Sequence, residues 1–356
     1  MFVVEMLPAR EGDCLWIRYG DVEAPRQILI DGGRLGTFRD IKDRLMELPA
    51  DQREFELLVI THVDRDHIEG ALAMLEDPDL ELIFKEVWFN GYDHLRGGEL
   101  ETFGAVQGEK LTTALLRRKE RWNASFNGGP VKIPDEGDLP QIRLAGGLRL
   151  TLLSPDTDKL AKLLPQWETE CEEAGLLPGI EARRSELEGL ETFGGVPDVE
   201  KLVVKPLKSD TTRPNGTSIA LLAEYDDIRV VLGADAHIDR LVPSLQALVA
   251  DSGRLRLDAF KLSHHGSSGN VSQELLELID CPRYLISTNG SYFKHPTAEA
   301  IARVLKYGGA NKTLFFNYDS DYTRLWNDDD LRRDYDYKVK FPKQSGDGTL
   351  KVTLQA

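Results

Sequence analysis

Cysteine is scarce, with three in 356 residues: Cys14, Cys171 and Cys281, far apart and without C-x-x-C spacing. That excludes a disulfide framework and a zinc knuckle, and the thiols read as reduced and buried in a cytoplasmic protein. Long apolar runs are missing too. No stretch approaches the ~20 residues that span a bilayer, so no membrane role is expected. The opening Met1-Phe2-Val3-Val4-Glu5-Met6-Leu7 lacks a basic lead and a cleavage site, and reads as a first strand. Positive charge is in deficit, because 44 Lys and Arg against 60 Asp and Glu leave a net charge of −16. Duplex binding relies on neutralising phosphates with Lys and Arg, so this balance argues against a processive nucleic-acid machine. A small anionic substrate or a short single-stranded nucleic acid remains compatible with it. Two basic groups stand out locally: Arg117-Arg118-Lys119 with Arg121, and Lys201, Lys205, Lys208 and Arg213.

Histidine is the other rare residue, seven in all, and two fall within six positions in Thr61-His62-Val63-Asp64-Arg65-Asp66-His67. The apolar run Leu57-Leu58-Val59-Ile60 before this segment reads as a buried strand. Ile68-Glu69-Gly70-Ala71-Leu72 after it reads as a helix start, with Ile68, Leu72 and Leu75 on one face. A strand alternates its side chains between faces, whereas a strand-to-helix turn can aim several at one point. Imidazole plus carboxylate is a ligand set for zinc, manganese or iron, and carboxylates pull toward harder cations. The plainer reading, a solvated loop with two incidental histidines, spends a rare residue twice for no reason. Metal binding is expected here.

This turn resembles the H-x-H-x-D-H signature of the metallo-β-lactamase superfamily, with Asp64 where the second His usually stands. The resulting H-x-D-x-D-H is similar to the variant in the hydrolase domain of ComEC-type DNA-uptake proteins. Further segments resemble the family in the same order. Glu11-Gly12-Asp13-Cys14-Leu15 is similar to the opening G-D before a strand, and Ile28-Leu29-Ile30-Asp31-Gly32-Gly33 to the strand and acidic turn ahead of the metal motif. Asn215-Gly216-Thr217-Ser218-Ile219 resembles the N-x-x-S strand, and Val231-Leu232-Gly233-Ala234-Asp235 the strand ending in a bridging Asp. Ser263-His264-His265-Gly266-Ser267 resembles the H-H-G-S motif and Lys294-His295-Pro296 the late H-P. The resemblance covers roughly residues 2–90 and 200–306, and the joint match is far more specific than any single motif.

The resemblance implies an α/β fold, the four-layer αββα metallo-β-lactamase sandwich. Residues 1–356 are expected to form one such domain, with irregular insertions at about 91–146 and 156–200 covering the mouth of the site. Two divalent metal ions, zinc (Zn²⁺) or manganese (Mn²⁺), are implied. One is expected to be held by Asp66, His67, Asp235 and a member of the His264-His265 pair. The other sees His62, Asp64 and the bridging Asp235. So oxygen-rich a set favours manganese more than a His-rich one does. Adjacent residues at a strand end point different ways, so one of the pair is expected to ligate, His264 by preference, and the other to orient it or meet substrate. Asp31 and Asp13 are expected to steady the ligands through hydrogen bonds, a plain turn former being the alternative for Asp31.

Asn215, Ser267, Lys208 and His94 are the expected substrate-side residues, His94 as part of the cleft wall or surface. Asp66, Asp64 and His295 are the expected catalytic groups, with His295 giving a proton or a hydrogen bond. A water shared between two metals yields hydroxide near neutral pH. The expected activity is therefore that of a soluble metal-dependent hydrolase, a phosphodiesterase or nuclease. Hydrolysis of carboxylic or phosphocholine-type esters or lactones is the alternative, as is a degenerate binding module, because one fold hosts them all. No Ser-His-Asp set, phosphate-cradling glycine loop or dinucleotide fingerprint competes.

Away from the motifs, helices are expected around 111–122, 272–279 and 297–306, and strands at 84–89, 313–317, 337–341 and 350–354. An acidic helix carries Glu168, Glu170, Glu172 and Glu173, and Asp328, Asp329 and Asp330 read as a solvated turn.

Overall fold

Runs such as Leu57-Leu58-Val59-Ile60, apolar without alternation, need burial on both faces. Two sheets packed together under outer helices provide it. The computed structural model describes residues 1–95, 106–118, 121–173, 196–249, 253–343 and 346–356.

The first sheet is built from β1 (Phe2–Met6), β2 (Leu15–Gly20), β3 (Pro25–Ile30), β4 (Leu57–Val59) and β5 (Val87–Trp88), closed by the last strand of the chain. The second contains β6 (Gln141–Arg143), β7 (Arg149–Ser154), β8 (Ala220–Tyr225), β9 (Ile228–Leu232), β10 (Ala259–Lys261), β11 (Arg283–Ile286), β12 (Lys312–Phe316) and β13 (Tyr337–Lys340). The final strand, β14 (Leu350–Gln355), returns to pair antiparallel with β1. The orders are β14-β1-β2-β3-β4-β5 and β13-β12-β11-β10-β9-β8-β7-β6. Both sheets are mixed: β3, β4 and β5 are mutually parallel, as are β9 through β13, and the rest pair antiparallel.

Alternate residues of each strand divide between two cores. Val4, Ile17, Ile28, Leu57 and Val59 meet Leu150, Leu221, Val230, Ala259 and Leu285 between the sheets. On the outer face of the first sheet, Leu29 and Leu58 lie under α1 (Phe38–Met46), α2 (Arg65–Glu76), α3 (Val106–Arg118) and α4 (Thr157–Glu173), through Ile41, Ile68, Leu111 and Trp167. On the second, Leu222, Val231 and Phe260 lie under α5 (Ile238–Gln246), α6 (Gln273–Leu278) and α7 (Ala298–Tyr307), through Leu241, Leu275 and Ile301. This is the expected four-layer αββα sandwich. Among the described residues no helix is long and apolar enough to cross a membrane.

Several boundaries differ from expectation. Helix α2 starts at Arg65, not Ile68, so Asp66 and His67 occupy its first turn, where His67 and Ile68 donate backbone hydrogen bonds to the Asp64 carbonyl. Asn215 does not begin a strand. Pro214 sets a helical φ at the start of the single turn Arg213–Gly216, and β8 begins only at Ala220. The expected strand at 84–89 is two short ones, Ile83–Phe84 and Val87–Trp88. The Asp328 segment is no plain turn, because its carboxylate accepts from the amides of Asp330 and Leu331 and so caps the helix Asp329–Asp334. The expected insertions carry α3, β6 and α4. Helix α3 covers 106–118, so its basic end is Arg117 and Arg118; Lys119 lies outside the described residues. So do the insertion segments 96–105 and 174–195, and the side chains of Glu170, Cys171, Glu172 and Glu173. Cys14 and Cys281 are buried free thiols, and burial pushes Cys281 up to about 12, far from thiolate reactivity.

Candidate metal centre

The parallel strands carry their functional residues just past their C-terminal ends: Asp31 after β3, His62 after β4, Asp235 after β9, His264 and His265 after β10, and His295 beyond β11. Close backbone approach locks these turns together. A Cβ on Gly12 would stand 1.8 Å from the Asp66 carbonyl oxygen, and one on Gly32 would stand 2.0 Å from the Ala71 nitrogen, so glycine alone lets both loops touch α2. Asp31, Ala234, His264 and His265 all have left-handed φ, between 44° and 59°. Such non-glycine conformations cost energy and gather at functional sites.

Hydrogen bonds set the tautomer of each imidazole. The Thr61 amide and hydroxyl donate to Asp31 at 2.8 Å each, so the Thr61 oxygen is left to accept from Nδ1 of His62 at 3.0 Å. His67 donates from Nδ1 to Asp31 Oδ2 at 2.7 Å, and His265 from Nδ1 to the Ser287 carbonyl at 2.9 Å. Nδ1 of His264 faces two acceptors, Asp210 Oδ2 and Asn270 Oδ1, each at 3.1 Å. With Nδ1 donating in all four neutral rings, Nε2 carries a lone pair.

Those four lone pairs converge on one carboxylate oxygen. Nε2 of His67 is 3.5 Å from Asp235 Oδ2, that of His265 3.7 Å, that of His264 3.8 Å and that of His62 3.9 Å. Lone pairs aimed at a carboxylate repel unless positive charge lies among them. Nε2 of His62, His67 and His265 and Oδ1 of Asp235 are buried without a hydrogen-bond partner. Three groups of donors fall within 4.8 Å of one another: His62, His67 and Asp235; Asp66, His67 and His265; and Asp13, Asp235 and His265. The donors fit a pair of divalent cations about Asp235, imidazole and carboxylate being the usual set for transition metals.

Protonation follows the same logic. Burial acts to raise Asp235, but the charges of His67, His265 and His264 outweigh it and hold the carboxyl well below the usual range. Asp66 is brought down to about 2, against burial, by the His265 imidazole, whose Nε2 lies 3.5 Å from its Oδ2, and by the charge of His67. Burial lowers His67 and His265, yet Asp235 with Asp31 lifts the first well above its usual value, and Asp235 with Asp13 lifts the second to about 10. The carboxylates thus demand positive charge at a dry centre. Protons meet that demand in the metal-free protein; divalent cations meet it with neutral rings.

The His264-His265 pair corrects the alternation argument. Strand β10 ends at Lys261, and the pair sits beyond it in a left-handed turn, so both rings face Asp235 rather than opposite sides. His265, and not the preferred His264, joins the compact donor groups. Asp64 stands at the open side, its side chain 40% exposed and Oδ2 3.6 Å from Nε2 of His62. Asp13 is buried, paired with the Lys261 ammonium at 2.7 Å and 3.5 Å from Nδ1 of His265. His295 is buried beside His264, at 4.9 Å between ring centroids. Burial, then the charges of His264 and His265, pushes it down to about 3, which keeps it neutral at physiological pH with one N–H to offer.

The substrate-side residues divide. Asn215 lies at the centre, its amide nitrogen 2.7 Å from Asp210 and 3.2 Å from Nδ1 of His264, with its oxygen buried and unpartnered. Ser267 accepts from the Gly269 amide and steadies the turn. His94 takes the Gly91 amide on Nδ1, meets the Gly128 carbonyl with Nε2 and packs edge-on against Trp122, so backbone groups occupy both its nitrogens, and it joins none of the donor groups. Lys208 is exposed, and the basic group around it is partly neutralised, with Lys201 on Asp198 and Lys205 on Glu299.

Three residues escaped the sequence reading. Asp210 binds His264, Asn215, Asn270 and the Thr212 amide, and it stays ionised despite burial because His264 and Asn215 hydrogen-bond to it. His237, two positions after Asp235, puts Nε2 3.7 Å from Asp210 Oδ1 and Nδ1 3.0 Å from the Lys159 ammonium. Its signal was present, since one of only seven histidines stands beside a motif. Lys261, fully buried, looked like an ordinary strand residue.

No protein-family model and no curated protein matches the chain. Among solved structures, the metallo-β-lactamase fold protein YhfI from Bacillus subtilis aligns over 99% of this chain and 99% of its own, at 10% identity and a TM-score of 0.41. CmlA, a diiron β-hydroxylase from Streptomyces venezuelae, aligns over 99% of this chain at 13% identity and a TM-score of 0.42. This chain spans 54% of the CmlA chain.

Proposed function

We propose that this protein is a metal-dependent hydrolase of phosphodiesters, acting on a small anionic substrate or a short single strand. The observation that carries the metal-dependent part is the convergence of four imidazole Nε2 atoms on Asp235 Oδ2, with tautomers set for ligation. The choice of phosphodiester is supported by the H-x-D-x-D-H turn and by a donor set rich in carboxylate, which suits cations used in phosphoryl chemistry.

In this reading Asp66, His67 and His265 would hold one cation and His62 with Asp64 the other, with Asp235 available to both. When bound, such a pair supplies Lewis-acid charge and an activated water near neutral pH. The chain's own residues do the rest. Asp31, Thr61, Ser287 and Asp210 keep the rings in the ligating tautomer. Asp64, half in water, is the carboxylate able to take a proton at the open side. His295, neutral, donates a hydrogen bond to a substrate oxygen, and Asn215 offers its unpartnered amide oxygen to a substrate donor.

The test is hydrolysis of bis-p-nitrophenyl phosphate, short single-stranded DNA and simple esters, with manganese, zinc and magnesium in parallel. Turnover of phosphodiesters that depends on manganese or zinc is expected. Turnover of esters alone would move the assignment to the ester class. Stoichiometric metal uptake without any turnover would leave a binding module.

A further inference from the structure

Two aromatic side chains stand out of place. Tyr292 and Phe293 are 49% and 41% exposed, and among the described residues they are the only aromatic side chains left exposed. They lie in the turn between β11 and α7, next to His295. From the metal centre outward the rings form a continuous series. His264, whose Nε2 faces Asp235, is 6.5 Å from Phe293 between centroids; Phe293 lies nearly parallel to His295 at 6.0 Å and 22°; Tyr292 stands edge-on to Phe293 at 4.6 Å.

The turn is braced, so the rings are held out rather than left loose. Ser291 donates its amide and hydroxyl to Asn289 Oδ1, the Lys294 amide reaches the Gly290 carbonyl, and the Thr288 amide donates to Asn317. Gly290, with φ of 77°, packs so close to Tyr322 that a Cβ would come within 2.3 Å of its ring. On the Tyr292 side, the Arg34 guanidinium sits 5.3 Å from the ring centroid and is itself fixed by Glu11 at 2.8 Å. Exposed flat rings cost hydration free energy, and a braced pair beside a reactive centre is accounted for by a flat apolar group that covers it in the working complex.

Resting on the phosphodiesterase reading, we infer that Tyr292 and Phe293 form a stacking step for an unpaired nucleobase of the substrate, adjoining the scissile phosphodiester. A nucleobase fits better than an acyl chain. It has two flat faces for an edge-on aromatic pair, and a cation over one ring adds to stacking in single-strand sites. Stacking of this kind tolerates any base, so the step selects single-stranded nucleotides over base-free phosphodiesters without selecting sequence.

The experiment uses the zinc- or manganese-loaded full chain with two trinucleotides of equal charge, one carrying bases and one abasic beside the scissile phosphate. The base-containing substrate is expected to have the lower KM, by on the order of ten-fold, the scale of one stacked base on an aromatic side chain. Tyr292→Ala and Phe293→Ala should collapse that ratio toward one, while Tyr292→Phe and Phe293→Trp keep it, with bound metal measured in every variant. Equal KM for both substrates in the wild type, or an unchanged ratio in both alanine variants, overturns the inference. If the loaded protein cleaves no phosphodiester, the phosphodiesterase reading fails, and binding of adenosine monophosphate against ribose 5-phosphate still judges the step. Preference for the nucleotide that is lost in Tyr292→Ala supports it, and equal binding of the two ligands defeats it.

Discussion

Nδ1 of His67 and Oδ2 of Asp31 lie 2.7 Å apart across 36 positions of sequence, with both side chains sealed from water. The same carboxylate accepts twice from Thr61, which in turn receives Nδ1 of His62. One residue in a left-handed turn thereby orients two imidazoles, and the turn after β3 is coupled to the one after β4.

Asp31→Asn keeps the volume of this residue but trades one acceptor for a donor that faces His67. Partners of ligating histidines typically contribute 10–100-fold in metal affinity. A loss of roughly that size is expected, read by competition with a chromophoric chelator. Affinity within about two-fold of the wild type would reduce Asp31 to a turn former.

Asp66→Ala and His67→Ala should each abolish turnover and lower bound metal while far-UV circular dichroism stays unchanged. Both side chains face the donor cluster and not the apolar core beneath α2. Wild-type activity in either purified variant would sink the two-metal account.

Asp64→His separates two roles for the one carboxylate at the open side. As a ligand, Asp64 replaced by His should shift preference from manganese toward zinc. As a proton acceptor, its loss should cost about 10²–10⁴-fold in rate with little change in metal preference. Metal content and turnover measured under both ions decide between these, and a variant unchanged in both would leave Asp64 a surface carboxylate.

Glu109 on α3 provides a pH test on a carboxyl that belongs to none of the donor groups. Burial, then the charge of Asp93, pushes its carboxyl from 4.5 up to about 7. Because the folded protein binds this proton more tightly than the unfolded chain, the stability it contributes is full below about pH 4.5 and is lost as the pH rises through about 7. Glu109→Gln removes the loss. Its melting temperature relative to wild type should therefore climb between pH 4.5 and 8, by the equivalent of roughly 1–3 kcal/mol. A difference between variant and wild type that stays flat over that range would refute the shift.

The strand-to-helix turn from Thr61 to His67 was legible because its chemistry is contiguous: two imidazoles and two carboxylates need only one local bend to face one way. The apolar run of β4 likewise announced a buried strand, and the helix expected around 297–306 is α7. Asp210 and Lys261 carried no such mark, since a lone Asp in a polar loop and a lone Lys in a strand acquire meaning only from His264 and Asp13, dozens to hundreds of residues away. His94 and His265 show the converse. Their residue type pointed to chemistry, but the neighbours decided the outcome: backbone groups at 91 and 128 occupy both nitrogens of His94, while consecutive left-handed residues turn His264 and His265 toward the same oxygen. Periodicity along the chain determines which face a side chain takes inside a regular element. Beyond the strand ends, where this site is built, the direction is set by positive φ, close glycine contacts and hydrogen bonds that form only once the two sheets have packed.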